Sequence, residues 1–346
     1  MSLSYSSILA EKEPERVNDG SMEEQFDDQK FQNWSRNNSL SYHLRTLWLF
    51  TRSDLKLMIY PNLVFGLASA MSEPALTNDQ SSNLLTSLLN IPYMTMWLWL
   101  SLLLFNIANQ RLHFSILEDG INKPWRPLPS RRLSQNQART LLLIVIPIAC
   151  ASSLYLGTTA HMLVIITLTW MYNDLGGADN NFLIRNIINA LGMASYGSGA
   201  TIIACGRQCK FSSFGYQRVI SIGLVVATTL QVQDMSDQAG DAMRGRKTLP
   251  LAHGDDFARL TIGISVMMWS IFVPAFWKPS LITYLPSLVI GGTLRFRTIL
   301  LRDVKADLGT WKIWCIWMTS LCLRLCGLEF ASSRIGGDYI EMIDIS

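Results

Sequence analysis

Ile220-Ser-Ile-Gly-Leu-Val-Val-Ala-Thr-Thr-Leu230-Gln-Val-Gln-Asp234-Met-Ser-Asp237-Gln-Ala-Gly-Asp241, followed by Gly245-Arg-Lys-Thr-Leu-Pro250, joins an apolar run of membrane-spanning character to an acidic cluster. Spaced i, i+3 and i+7, the three aspartates share one face of a helix. Carboxylates at a membrane boundary are costly unless compensated. A hard divalent cation such as Mg2+, shared with a substrate phosphate, is the usual compensation for such a triplet.

Working outward, the rest of the chain is equally apolar. Of its 346 residues 49% are hydrophobic and 16% charged, and the mean hydropathy is +0.22. This composition argues against an ordinary soluble domain and for an all-α integral membrane protein. Apolar runs begin near Leu55, Asn83, Thr140, Thr158, Phe182, Phe214, Leu260, Pro279 and Trp311. The reading is about nine transmembrane helices, each near the ~20 residues that cross a hydrocarbon core. Pro61, Pro92, Pro147 and Pro286 interrupt several of them, as membrane helices tolerate.

The net charge of +3 is too small to suggest nucleic acid. Lys123, Arg126, Arg131, Arg132 and Arg139 follow the second run, and Arg244, Arg246 and Lys247 follow the sixth. The opposite loops hold little beyond Arg207, Lys210 and Lys278. The bias of basic residues places the N-terminus and both charged loops in the cytosol. Residues 1–50 read as a polar, disordered cytosolic tail, 51–330 as the membrane domain and 331–346 as a second tail. Asn33 and Asn37 begin glycosylation sequons that go unused on the cytosolic side. Cys205 and Cys209 have no neighbouring His or further Cys to complete a zinc site and read as small core residues.

The second run leads into Asn109-Gln-Arg-Leu-His-Phe-Ser115-Ile-Leu-Glu118-Asp119-Gly-Ile-Asn122-Lys123-Pro-Trp-Arg126-Pro-Leu-Pro129. If the helix continues, Ser115 and Asp119 are i, i+4 neighbours, as are Glu118 and Asn122. That face offers hard oxygen ligands, and the prolines fold Lys123 and Arg126 back beside them. Taken singly, each acidic cluster reads as a solvated connection. Taken together, on one membrane side and each followed by cations, they make a two-part site for a metal and a diphosphate. Metal ions and cations stabilise the charge that develops on a departing diphosphate. An apolar bundle houses a hydrocarbon tail and keeps water from a carbocation. Trp97, Trp99, Trp170, Tyr172, Tyr196 and Trp269 are candidates to line such a pocket, although Trp and Tyr also gather at membrane interfaces.

Asp234-x-x-Asp237-x-x-Gly-Asp241 with Gly-Arg-Lys-Thr-Leu-Pro resembles the second aspartate motif of the UbiA superfamily of membrane prenyltransferases. Glu118-Asp119-x-x-Asn122-Lys-Pro-Trp-Arg126-Pro-Leu-Pro resembles the end of the first. The family's opening Asn-Asp and its preceding Asp are replaced here by Arg111-Leu112 and Ser115, with Asn109 an offset stand-in. This variant is similar to a fungal branch of membrane-bound terpene cyclases. Tyr172-Asn173-Asp174-Leu-Gly-Gly with Arg185-Asn186 resembles part of that branch's pocket, and reads equally as a capped helix turn.

The resemblance implies a UbiA-like bundle around a central apolar cavity, in the endoplasmic reticulum membrane with cytosolic active-site loops. It implies a class I cyclase converting farnesyl diphosphate to a cyclic, bergamotene-like sesquiterpene, with other pathway enzymes as candidate partners beside the lipid bilayer. Glu118, Asp119, Asn122, Asp234, Asp237 and Asp241 are expected to hold Mg2+. Lys123, Arg126, Arg185, Arg244 and Lys247 are expected to hold diphosphate, with Asp119, Asp234, Asp237, Tyr172 and Asp174 as catalytic groups. The alternatives are a transferase passing the prenyl group to an aromatic acceptor, and a transporter or lipid-binding protein without catalysis.

Overall fold

A computed structural model describes residues 39–71, 84–206, 209–277 and 281–325. It divides into two units, 1–46 and 47–346. Of the first, only the opening turns of a helix are described, with Thr46 Oγ1 donating to the Tyr42 carbonyl. The second holds the site. The expected tails 1–50 and 331–346, with both sequons, lie outside the described residues except for residues 39–50. These differ from expectation: Leu40–Thr51 is helix α1, and its Leu49 and Phe50 are buried.

No strand occurs among the described residues. The helices after α1 are α2 (Leu55–Met58), α3 (Tyr60–Met71), α4 (Leu84–Leu89), α5 (Ile91–Gln110), α6 (His113–Asn122), α7 (Gln135–Leu156) and α8 (Thr159–Asn173). They continue as α9 (Gly177–Asn180), α10 (Phe182–Cys205), α11 (Ser213–Thr229), α12 (Asp234–Arg244), α13 (Leu249–His253), α14 (Asp255–Trp277), α15 (Leu281–Leu300) and α16 (Val304–Leu325). Each apolar run read from the sequence is thus helical, the first as α2 with α3 and the second as α4 with α5. By length and apolarity α5, α7, α10 and α14 suffice to cross a membrane. Ser213–Val232 and α12, which meet at 71°, make a fifth only if counted as one broken span. Pro61 and Pro92 sit in the first turns of α3 and α5, where the missing N–H goes unneeded.

The second run does not continue unbroken into its acidic loop. α5 stops at Gln110 and α6 begins afresh after extended Leu112. Gln110 Nε2 is drawn to the Phe50 carbonyl, 2.9 Å away, which pins the break. α10 is the central element. Its Ala190 and Met193 join a core with α11, α14 and α16, while its Tyr196, Ala200 and Ile203 join another with α5, α7 and α8. Apolar side chains such as Leu143 and Ile144 on α7 face outward.

Cys205 and Cys209 are buried, as read, but bonded to each other in a disulfide at the far end of α10.

One ion pair outside the cavity holds the second half together. Arg259 on α14 is 2% exposed and donates to Asp307 on α16 at 2.8 and 2.9 Å, and to the Thr298 carbonyl at 2.8 Å. Removing one partner strands a buried charge. Arg259→Met should therefore destabilise by about 3–5 kcal/mol, and adding Asp307→Leu should recover most of the loss. Denaturant unfolding in detergent, followed by circular dichroism, measures both; an Arg259→Met protein as stable as the parent refutes the assignment.

Candidate active site

The site is built where α6 and α12 meet. α12 begins after the chain turns sharply out of α11 through Leu230–Val232, so Asp234 and Asp237 occupy its first turn. There the exposed N–H groups and helix dipole favour carboxylates. α6 is two-faced: Phe114, Leu117 and Ile121 are exposed, while Ser115, Glu118 and Asp119 are buried. The two helices touch at Gly240, where an added Cβ would stand 2.2 Å from Asn122 Nδ2. Asn122 Nδ2 donates to the Asp237 carbonyl at 3.1 Å, which fixes the register.

Cations interleave the two acidic helices. Lys123 Nζ lies 2.8 Å from Asp237 Oδ2. The proline turn carries Arg126 back to Asp119 at 2.7 Å, to Ser53 Oγ at 2.9 Å and to Asp54 at 3.4 Å. Arg185 of α10 pairs with Asp234 and donates to the Tyr172 hydroxyl at 3.3 Å. Arg246 bridges Glu118 at 2.7 Å and Asp241 at 3.0 Å. Arg244 reaches Ser115 and, at 3.2 Å, Glu118. Asp179 on α9 receives both Arg244, at 2.9 Å, and Arg246, at 3.1 Å. Seven carboxylates (Asp54, Glu118, Asp119, Asp179, Asp234, Asp237, Asp241) thus face five cations (Lys123, Arg126, Arg185, Arg244, Arg246).

The donor set suits a divalent cation. Asp119, Asp234 and Asp241 each keep one buried carboxylate oxygen with no hydrogen-bond partner, and such oxygens call for a partner. Burial pushes the Asp119 carboxyl up despite Arg126 and Lys123 beside it, so its negative charge is under-compensated. The excess of carboxylates over cations has the same sense. Even so, among the described residues no three His, Cys, Asp or Glu side chains converge as a metal cluster; basic side chains stand against the acidic ones.

Below this charged mouth lies an open cavity of about 980 Å3, counted out to solvent. Asp54, Glu118, Lys123, Arg126, Arg185, Asp237 and Arg246 line its charged end, and Leu57, Leu102, Phe105, Ile165, Leu168, Ile188 and Met193 line the rest together with the polar Asn106, Thr169 and Asn189. Charged groups at one end and mainly apolar side chains over the rest suit an amphiphile with an anionic head.

Most of the expected site residues come together here. Two do not. Asp174 pairs with Arg111 outside the cavity lining, and Lys247 is exposed, with the buried Arg246 standing at the rim instead. Asp54 and Asp179 were not among the expected site residues. Asp54 lies far from both motifs in sequence, and the signal for Asp179 is only its place after the Gly-Gly turn. Of the aromatic candidates, Tyr172 and Tyr196 line the cavity. Trp97 is buried beneath it, Trp99 bonds Thr51, Trp269 bonds Thr228 and Trp170 faces outward.

Residues 64–317 match the model of the UbiA prenyltransferase family. The chain is 33% identical over 242 residues to fumagillin beta-trans-bergamotene synthase of Aspergillus fumigatus, covering 70% of this chain and 78% of that protein. It is 27% identical over 279 residues to somaliensene A/B synthase of Streptomyces somaliensis, covering 79% and 89%. Its fold is similar to that of a UbiA homolog from Archaeoglobus fulgidus bound to GPP and Mg2+, with a TM-score of 0.56 at 12% identity over 81% of this chain and 99% of that one.

The contact at Gly240 makes a sharp test of this geometry. Gly240→Ala should lower stability by about 1–3 kcal/mol, because the new methyl displaces Asn122. In an Asn122→Ala background the same change should cost far less. Equal losses in both backgrounds, by thermal unfolding in detergent, would mean the helices do not meet there.

Proposed function

Because the chain belongs to the UbiA prenyltransferase family, we propose that it is a membrane-bound class I terpene cyclase acting on farnesyl diphosphate and releasing a cyclic, bergamotene-like sesquiterpene. The observation that carries this reading is the pairing of two acidic, cation-laced helices at the charged end of one cavity whose other lining is mainly apolar. The identity to a sesquiterpene-forming relative supports the cyclised product.

Mg2+ held by Asp119, Asp234 and Asp241, with Glu118, Asn122 and Asp237 beside them, would supply Lewis-acid neutralisation of a diphosphate. The protein's own groups do the rest. Lys123, Arg126, Arg185 and Arg246 line the rim, where guanidinium and ammonium groups hold phosphate oxygens by charge-assisted hydrogen bonds. When the allylic C–O bond breaks, its electron pair leaves with the diphosphate, and these preplaced cations meet charge as it develops. The apolar walls receive the carbocation, fold the chain for ring closure and exclude the water that would quench it. Transfer of a proton from the cyclised cation to the released diphosphate, the base the reaction itself supplies, then gives the hydrocarbon.

We place this integral membrane protein in the endoplasmic reticulum with the mouth facing the cytosol. The basic residues near the mouth support this orientation. So does the Cys205–Cys209 disulfide. Arg185 and Cys205 lie twenty residues apart on α10, about 30 Å and so one membrane thickness, and disulfides persist in oxidising compartments such as the lumen.

Membranes containing the protein, supplied with farnesyl diphosphate and Mg2+ alone, should yield a volatile sesquiterpene by gas chromatography, and chelation should abolish it. Asp119→Ala and Asp234→Ala should each cut turnover by about a hundred- to a thousandfold. A product that forms only when an aromatic acceptor is added makes the protein a transferase; full activity in either variant removes the site assignment. In sealed microsomes, an impermeant maleimide should label Cys205 and Cys209 only after both reduction and permeabilisation. Labelling after reduction alone reverses the orientation.

A further inference from the structure

The wall that α5 and α8 give the cavity carries polar groups that the chemistry at the charged end does not use. Asn106 and Asn109 on α5 and Thr169 on α8 all line the cavity. Near the ends of the two helices, Asn109 Nδ2 donates to Asn173 Oδ1 at 2.8 Å, and Asn173 Nδ2 donates to the Thr169 carbonyl at 2.9 Å. The Phe105 and Tyr172 rings, with centroids 5.4 Å apart, also join these helices. Their register is thereby fixed. Counted back from the Asn109–Asn173 bond, Asn106 and Thr169 each stand about one turn along, at ~4.5 and ~6 Å of helical rise.

The pair at the helix ends satisfies itself; the next does not. Asn106 is 3% exposed, and its Nδ2 has no hydrogen-bond partner. A buried amide donor left unmade is expensive and asks for a partner. A prenyl chain offers it no acceptor, so if hydrocarbon were the only occupant an apolar residue would serve better here. Leu102, Phe105, Ile165 and Leu168 flank the two polar residues on the same helices and also line the cavity. A single water bridging polar groups among apolar ones is the common way to satisfy such a donor.

We propose that Asn106 and Thr169 hold one water molecule in the cavity and that this water captures part of the carbocation, so that a sesquiterpene alcohol leaves beside the hydrocarbon. The inference rests on the cyclase reading and adds a second class of product to it. Asn106 Nδ2 donates to the water oxygen, and the Thr169 hydroxyl oxygen accepts one of the water's hydrogens, which leaves a lone pair for the ligand. That lone pair forms a C–O bond at the cationic carbon. One water proton then passes to the diphosphate, which already carries the electron pair of the broken allylic C–O bond, and the charges balance. Apolar walls exclude bulk water; one molecule fixed by the wall reacts through its position.

The test supplies the full-length protein in membranes with farnesyl diphosphate and Mg2+ in water enriched in oxygen-18, and reads the products by gas chromatography and mass spectrometry. The parent should release a sesquiterpene alcohol carrying the heavy oxygen, because capture at carbon takes its oxygen from water. Hydrolysis at phosphorus would leave the alcohol with the substrate's own oxygen. Asn106→Leu and Thr169→Val should each lower the ratio of labelled alcohol to hydrocarbon by about tenfold, roughly the worth of one hydrogen bond in rate. Thr169→Ser, which keeps the hydroxyl, should retain the ratio. A ratio of two products from the same molecules is independent of how much variant is folded, and Thr169→Val stands in if Asn106→Leu does not accumulate. A parent that makes hydrocarbon without labelled alcohol, or a ratio unchanged in the two apolar variants, overturns the water site and leaves the cyclase intact. A parent that forms neither product removes the cyclase reading and the water site with it.

Discussion

The structure depends on how the cost of burying carboxylates at the end of an apolar bundle is offset. An unpaired carboxylate taken out of water costs several kcal/mol and neutralises itself instead. Asp119, Asp234 and Asp241 are almost wholly buried, and each is met by an arginine on one oxygen only. That single-sided pairing is the compromise the rest of the fold serves. Full pairing would leave nothing for a ligand to coordinate; no pairing would leave their burial without any offset.

The local architecture follows from that need. Arg126 and Arg246 come from the turns that directly follow α6 and α12 and fold back on Asp119 and Asp241, whereas Arg185 reaches Asp234 from α10. Arg185 thereby ties α10 to α12, and Arg246, which also meets Glu118, ties α12 to α6. The absence of a side chain at Gly240 lets α12 lie close against α6, which brings the two acidic faces to one rim. Asp179 acts at one remove, holding Arg244 and Arg246 from the outside so that both point back toward Glu118. A charged end beside mainly apolar walls is the outcome, and bulk water has reason to stop at the boundary between them.

Much of this was legible in the sequence because it is local. Asp234, Asp237 and Asp241 share a face by helical spacing alone, as do Ser115, Glu118, Asp119 and Asn122, and each of the nine apolar runs announces a helix by its composition. What the sequence hid is set by turns and long-range pairing. Which of Arg244, Arg246 and Lys247 faces inward depends on the turn at Gly245, and spacing could not choose Arg246 over Lys247. Asp54 and Asp179 reach the site only because helices distant in sequence meet there. α1 was read as tail because its polar flank outweighed Leu49 and Phe50, whose burial depends on the bundle around them. The break between α5 and α6 lies in an apolar-to-polar stretch whose composition permits a continuous helix; the side chain of Gln110 bonded to the Phe50 carbonyl is a tertiary fact.

α10 turns these separate features into one instrument. Arg185 near its start, Tyr196 near its middle and Cys205 at its end lie on a single helix packed against α3, α8 and α11. Distances along such a helix are fixed by the backbone hydrogen bonds and do not depend on loops. The spacing of these three positions along the bundle is therefore set by residue count alone.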